Sequence, residues 1–151
     1  MAPTSLDIEI AKSQLMANNF SLVIAKNGQV IFETKKSGIG GFLQAIEQLD
    51  NELLSSSVAD RIIGMAAAML CVYIKVDSVF ALTLSEGGMR VLEGSGVAFE
   101  FMNKVSNILN RDKTDVCPFE KRAMASKNAE DAYVNLKAFA EKIMGKSTTS
   151  C

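Results

Sequence analysis

The segment Asp115–Glu120 holds the residues best placed to do chemistry. Cys117 falls at a predicted helix N-cap, Pro118 at the first helical position and Glu120 at the acidic position of a capping box. The dipole and free N–H groups of a helix start lower the pKa of a thiol and favour the thiolate, although the negative Glu120 opposes it. The spacing therefore predicts either a nucleophilic or anion-contacting Cys117, or a plain helix start with a partly buried cysteine.

Three other positions carry groups that bind ligands or exchange protons. Asn110, Arg111 and Asp112 form a polar stretch whose arginine could hold a phosphate or carboxylate, or form a surface pair with its aspartate. Ser85–Gly88 follows a predicted strand and opens a helix, but its glycines match no phosphate-binding loop. Asp60 lies near the start of a predicted central helix, where a carboxylate is more often a cap than a base.

Composition excludes several kinds of catalytic site. The chain has 151 residues, a formal net charge of −1 and no histidine, which removes Ser-His-Asp triads, Cys-His pairs and imidazole zinc ligands. Its three cysteines show no Cys-x-x-Cys spacing. We therefore predict no metal and no cofactor. Cys71 is interpreted as core and Cys151 as a free thiol in the C-terminal tail.

Charge and hydropathy limit the partners. Sixteen basic residues against seventeen acidic ones leave no basic face, so we expect no nucleic-acid partner. The longest apolar run, Ile62–Ile74, is shorter than the ~20 residues that cross a bilayer, and the N-terminus has no signal-peptide pattern. These features predict a cytoplasmic protein with no membrane partner and with reduced cysteines.

Periodicity and capping residues predict a single domain over residues 1–145, followed by a disordered tail over 146–151. Thr4 or Ser5 caps a first helix, and Asn27-Gly28 joins two strands into a hairpin. The predicted elements are helices at about 5–18, 41–53, 58–74, 85–94, 118–125 and 128–143, and strands at about 20–25, 29–34, 77–83 and 97–101. This order predicts an α/β fold with three α/β/α layers and a mixed sheet that begins with an antiparallel hairpin.

Three blocks of sequence together resemble a known family. They are Ser21–Gly28, Val58–Gly64 with the alanine-rich run after it, and Asn110–Asp112 with Cys117–Glu120. In this order the chain is similar, from residue 5 to about 143, to the domain-of-unknown-function family eighteen-ninety-three, small uncharacterised prokaryotic proteins. The resemblance implies a cytidine-deaminase-like fold without the zinc site.

The resemblance also implies which residues matter. In deaminases the central helix begins with His/Cys-x-Glu and the next helix with Pro-Cys-x-x-Cys. The matching places here are Val58-Ala59-Asp60 and Ser85–Gly88, which cannot ligate zinc as a deaminase does. A basic residue is usual after the glycine of the central helix, where this chain has Met65. The family's recurrent polar positions correspond to Asp60, Asn110, Arg111, Asp112, Cys117 and Glu120.

We therefore expect a small anionic or nucleotide-like ligand in a cleft, without zinc-dependent deamination. Arg111 would supply charge, Asn110 and Asp112 further contacts, and Asp60 and Glu120 orienting carboxylates. If the protein is an enzyme, thiol chemistry at Cys117 is the nucleophilic route. The alternative is a non-enzymatic oligomeric scaffold, with the central helix and the Phe99/Phe101 strand in a homo-oligomer interface. A third interpretation is a deaminase relative that uses another metal.

Overall fold

A computed structural model of the chain describes residues 6–143. Its helices are α1 (Leu6–Ala17), α2 (Ile39–Leu49), α3 (Met65–Tyr73), α4 (Glu86–Ser95), α5 (Pro118–Met124) and α6 (Ala129–Lys142). Its strands are β1 (Leu22–Lys26), β2 (Gln29–Thr34), β3 (Ser57–Ile63), β4 (Ser78–Ser85) and β5 (Ala98–Val105). A 3-10 turn, Asp50–Leu53, follows α2 directly.

The strands form one mixed sheet in the order β2-β1-β3-β4-β5. β1 is antiparallel to both of its neighbours, whereas β3, β4 and β5 run parallel. Asn27 and Gly28 turn the hairpin with φ values of 54° and 80°, the positive values that this dipeptide tolerates. The predicted α/β class, with its mixed sheet and N-terminal hairpin, is confirmed.

Helices cover both faces of the sheet. α1 covers one face, where Ile8, Ala11 and Leu15 form a small core with residues of β1, β3 and β4. The larger core lies on the other face and joins buried residues of α2, α3, α4, α5 and α6 to the sheet. Cys71 lies in this larger core, fully buried and free, as predicted. These two cores give the three predicted layers.

The predicted helix from Val58 to Ile74 is wrong in its first half. Residues Ser57–Ile63 form β3, and α3 begins only at Met65. β3 lies in the middle of the sheet, and its consecutive residues Val58 and Ala59 are both fully buried, one in each core. A strand buried on both faces loses the apolar-polar alternation, so its sequence resembles the start of the buried helix that follows.

Capping residues set several of the other boundaries. The Ser85 hydroxyl accepts a hydrogen bond from the Gly88 N–H, and the Asn128 side chain accepts one from the Asp131 N–H. Both caps were predicted from the sequence. The predicted cap at Thr4 or Ser5, the tail at 146–151 and Cys151 lie outside the described residues. No helix within residues 6–143 is long and apolar enough to span a membrane.

Candidate functional site

The N-terminus of α3 is capped by a carboxylate from α5. Glu120 Oε1 accepts a hydrogen bond from the Met65 N–H at 2.8 Å, and Oε2 accepts one from the Ala66 N–H at 2.7 Å. The predicted capping box is therefore wrong, because Glu120 caps α3 and the Cys117 N–H donates to the Ile108 carbonyl. Pro118 does begin α5, as predicted, and this start directs Glu120 towards α3.

Two glycines create the space for this contact. A Cβ on Gly64 would lie 2.2 Å from Glu120 Oε1, and a Cβ on Gly88 would lie 2.9 Å from the Gly64 carbonyl oxygen. Real Cβ atoms do not approach other atoms this closely. The glycines thus allow the β3–α3 turn, α5 and the start of α4 to meet.

Glu120 is a buried acid that forms no salt bridge with the described residues. Its side chain is 95% shielded, with 5% of its surface exposed, and the salt bridges within residues 6–143 join other residues. Burial raises the pKa of Glu120, while the hydrogen bonds from Ala66 and Met65 act in the opposite direction. The partial positive charge of the α3 N-terminus is therefore its main electrostatic support.

A cavity of about 120 Å³ lies beside this capped helix start. It is close in size to an apolar cavity of about 150 Å³ that holds benzene, so it fits one small ring. The polar and charged residues that line it include Ser21, Ser37, Asp60 and Glu120. The cavity lies near the carboxyl end of β3, where α/β sheets commonly bind ligands.

Asp60 supplies the second carboxyl of the cavity. It is a partly buried residue of β3, and its Oδ1 accepts a hydrogen bond from the Ile62 N–H at 3.2 Å. Burial raises the pKa of Asp60 to about 7, although the backbone N–H groups of Ile62 and Arg61 lower it in part. Asp60 can therefore gain or lose a proton near neutral pH.

Arg61 borders the same cavity, but its guanidinium is engaged elsewhere. Nε donates to the Phe20 carbonyl at 2.6 Å, and Nη2 donates to the Leu15 carbonyl at 3.0 Å. Leu15 belongs to α1, so these bonds fasten α1 to the edge of the site. The arginine positions an element of the fold and leaves the two carboxyls as the main charges of the cavity.

Cys117 also lines the cavity and is buried, with 2% of its surface exposed. The residue is disulfide-bonded in this structure, so the prediction of reduced cysteines is wrong at Cys117, and thiol chemistry there requires reduction first. Next to it, Phe119 packs edge-to-face against Phe139 of α6, with ring centroids 5.0 Å apart. This aromatic contact anchors α5 and thereby fixes the position of Glu120.

Asn110, Arg111 and Asp112 lie in a separate turn. Leu109 and Val116 form the bridge at its base, and the Asn110 side chain bonds to Thr114. Arg111 and Asp112 are exposed, and none of the three predicted residues lines the cavity. Of the six predicted site residues, the structure thus brings together Asp60, Cys117 and Glu120.

Sequence and structure comparisons agree with this architecture. The family model "TM1506: Domain of unknown function (DUF1893)" matches residues 10–144. The chain belongs to the DUF1893 family. The predicted family resemblance is therefore confirmed.

Solved structures extend the comparison. The DUF1893 protein TM1506 from Thermotoga maritima is 26% identical, with 91% of this chain and 92% of that chain covered and a TM-score of 0.82. Two forms of Acinetobacter baumannii RibD are 21% identical, with TM-scores of 0.46 and 0.47. They cover 63% and 64% of this chain but only 32% and 33% of the RibD chains, and the likeness concerns the fold alone. A search of curated proteins gives no match.

The corrected start of the central helix changes the comparison with deaminase motifs. α3 of this DUF1893 chain begins at Met65 after the N-cap Gly64, so Gly64-Met65-Ala66, and not Val58-Ala59-Asp60 of β3, occupies the start of the central helix. Gly64, Met65 and Ala66 carry no side chain that usually ligates zinc. The next helix, α4, begins at Glu86 after the N-cap Ser85, as the sequence predicted. Within the described part of the chain, no group of three or more His, Cys, Asp or Glu residues is placed to hold a metal ion.

Sequence reasoning missed Gly64, Ser21 and Ser37 as parts of the site. Gly64 had a usable signal, because it interrupts an apolar stretch between Arg61-Ile62-Ile63 and the alanine-rich run. Ser21 and Ser37 had no such signal in the sequence. They come just before β1 and just after β2, and only the folding of the chain brings them to the cavity.

Proposed function

We propose that this protein binds a small nucleobase-like ligand, uncharged or cationic, in the cavity beside the α3 N-terminus. The observation that carries the proposal is the convergence of Asp60 and Glu120 on one ring-sized cavity, where neither carboxyl forms a salt bridge with a residue of the described range 6–143. Carboxylates accept hydrogen bonds, so they suit a ring that presents N–H donors. The Ser21 hydroxyl already donates to the Lys35 carbonyl at 3.0 Å, so it can accept from a ring N–H, and a serine hydroxyl such as that of Ser37 can donate or accept.

The residues that line the cavity limit which of the expected ligands, anionic or nucleotide-like, can enter it. An anionic group inside the cavity would face two carboxyls, while the N–H groups of Met65 and Ala66 are already bonded to Glu120. Arg111 lies in the exposed turn outside the cavity. A nucleotide-like ligand is therefore expected to place its base in the cavity and its phosphate outside.

Asp60 is the residue we assign to proton exchange with the ligand. A carboxyl with a pKa of about 7 is present in both protonation states at neutral pH, which suits either a general acid or a general base. Glu120 has the positioning role, since both of its oxygens hold α3. Zinc-dependent deamination is not part of the proposal, and thiol chemistry at Cys117 stays a prediction that needs a reduced cysteine.

A thermal-shift panel tests the proposal with adenine, cytosine, cytidine monophosphate and inorganic phosphate as probes. We expect a base or nucleotide to raise the melting temperature of the wild type and phosphate alone to leave it unchanged. Asp60→Asn should weaken the binding by about tenfold or more, because it removes the charged acceptor. Asp112→Asn, a matched change in the exposed turn, should have no effect. Binding of phosphate alone, or equal binding by the Asp60→Asn variant, would contradict the proposal.

The expected alternative, an oligomeric scaffold, is favoured by one separate observation. β5 forms an edge of the sheet and is exposed along nearly its whole length. Such an edge is compatible with assembly whether or not the cavity binds a ligand. Sedimentation of the full chain as a monomer at high concentration would count against this second function.

A further inference from the structure

β5 offers an open backbone edge. It pairs with β4, and no other strand within residues 6–143 pairs with its outer side. Large apolar side chains are exposed along it: Phe101 is 39%, Met102 59% and Val105 37% exposed. An edge strand with free N–H and C=O groups and exposed apolar residues is a template for pairing with another strand.

We propose that β5 pairs antiparallel with β5 of a second copy of this chain, about a two-fold axis at Met102. The pairing would continue the sheet from one subunit into the other. No residue of β5 lines the cavity, so the pairing does not depend on the proposed ligand.

Symmetry restricts the possible registers. In an antiparallel pair, residues directly opposite each other point to the same face of the sheet. A two-fold axis normal to the sheet preserves the faces, so one residue of β5 must lie opposite its own copy. An axis at Glu100 or at Lys104 would place like charges directly opposite each other, which destabilises the pair.

An axis at Met102 instead produces charge complementarity. It places Glu100 opposite Lys104 of the partner subunit, and the symmetry repeats this pair on the other side of the axis. Both pairs of Glu100 with Lys104 of the partner subunit then lie on the face of the sheet that carries Met102. Glu100 already forms an exposed ion pair with Lys12 through Oε1 at 3.6 Å, so Oε2 remains for the second lysine.

The opposite face of the paired strands gains apolar contacts. The same register places Phe99 opposite Val105 of the partner subunit, and Phe101 opposite Asn103 of the partner subunit. Phe99 already packs against the larger core, so its new contact would extend that core across the interface. Pairs of an aromatic with a β-branched residue are among the stabilising cross-strand pairs.

Sedimentation equilibrium of the full chain tests this register through a charge exchange. We expect a reversible dimer for the wild type. Glu100→Lys and Lys104→Glu should each weaken the dimer by about tenfold or more, because each change makes both cross-strand pairs repulsive. The double variant should restore it. Glu141→Lys, at an exposed position of α6, is the matched control and should dimerise like the wild type.

Oxidative crosslinking provides a second readout. Met102→Cys should form a disulfide-linked dimer, since opposite Cα atoms in an antiparallel pair lie ~4.5–5.5 Å apart, within disulfide reach. Val134→Cys, exposed on α6, should not do so beyond the wild-type background. A monomeric wild type would overturn the proposal. So would a dimer that resists both charge reversals, or a folded double variant that fails to recover, with folding checked by thermal melting.

Discussion

Gly64 and Glu120 fit together so closely that a Cβ on Gly64 would lie 2.2 Å from Glu120 Oε1. The φ of Gly64 is −101°, a value that any residue can adopt, so the requirement for glycine is steric. The missing side chain is what admits a buried carboxylate to the first N–H groups of α3. The contact joins β3, α3 and α5 at one wall of the cavity.

Substitution of Gly64 should therefore be costly. We expect Gly64→Ala to lower the free energy of unfolding by about 2 kcal/mol or more, because the methyl group must displace the Glu120 carboxylate. Gly94→Ala is the matched control, since a Cβ there meets no atom within 4 Å. It lies inside α4 and should raise stability by up to about 1 kcal/mol. Urea denaturation gives both values, and equal stability of the two variants would refute the steric account.

Loss of the Glu120 charge should destabilise α3. Glu120→Gln keeps the size of the side chain but replaces one acceptor oxygen by an NH₂ group that faces a backbone N–H. We expect a loss of about 2–3 kcal/mol in the free energy of unfolding, against little change for the exposed Glu47→Gln. Both effects are measured by urea denaturation. A loss no larger than that of the control would show that the two hydrogen bonds contribute little.

The Gly64 and Glu120 effects should not add. Both changes break the same contact, so the Gly64→Ala/Glu120→Gln double variant should lose less stability than the sum of the two single losses. A double-mutant cycle, measured by denaturation at one pH, gives the coupling. Additive losses would mean that alanine at position 64 acts on something other than Glu120.

Asp60 should make stability depend on pH. Its pKa is raised from 3.8 to about 7, so the folded state holds the proton more tightly than the unfolded state. Stability contributed by this proton is complete below about pH 4 and is lost as the pH rises to about 7. Asp60→Asn should therefore exceed the wild type in stability above pH 7, by about 1–3 kcal/mol after allowance for partial exposure.

The same difference should shrink as the pH falls towards 4. Glu120 also has a raised pKa, but it contributes to the pH dependence of both proteins. The difference between their free energies of unfolding across this range therefore reports on Asp60. Asp112→Asn serves as the control for an exposed carboxylate. A constant difference between wild type and Asp60→Asn across the range would contradict a pKa near 7.

Local signals in the sequence were sufficient for much of the fold. Asn27-Gly28 predicted the hairpin because both residues tolerate the positive φ that the turn requires. Ser85 and Asn128 predicted helix starts because their side chains cap neighbouring N–H groups. β3 was missed because Val58 and Ala59 are buried on opposite faces, which leaves no alternation to detect.

The site was predictable only in part. Asp60, Cys117 and Glu120 were predicted as site candidates and all three line one cavity, whereas the partner of Glu120 was not predicted. Its hydrogen bonds join residues 55 and 54 positions apart, and such contacts depend on packing between helices. Arg111 was predicted to carry ligand charge because it lies in a polar loop, yet local sequence does not show which way a turn projects.

A backbone-amide NMR titration of the full chain tests the proposed binding site most directly. The probes are a free base that stabilises the protein in the thermal-shift panel and inorganic phosphate. The account predicts that the base shifts the amide signals of Gly64 and Ala67, which border the cavity, and that Asp60→Asn needs about tenfold more base, or more, to reach the same shifts. It predicts no shift there with phosphate. Shifts confined to Arg111 and Asp112, or cavity shifts that reach half their maximum at the same base concentration in Asp60→Asn as in the wild type, would contradict it, as would the failure of every base to bind.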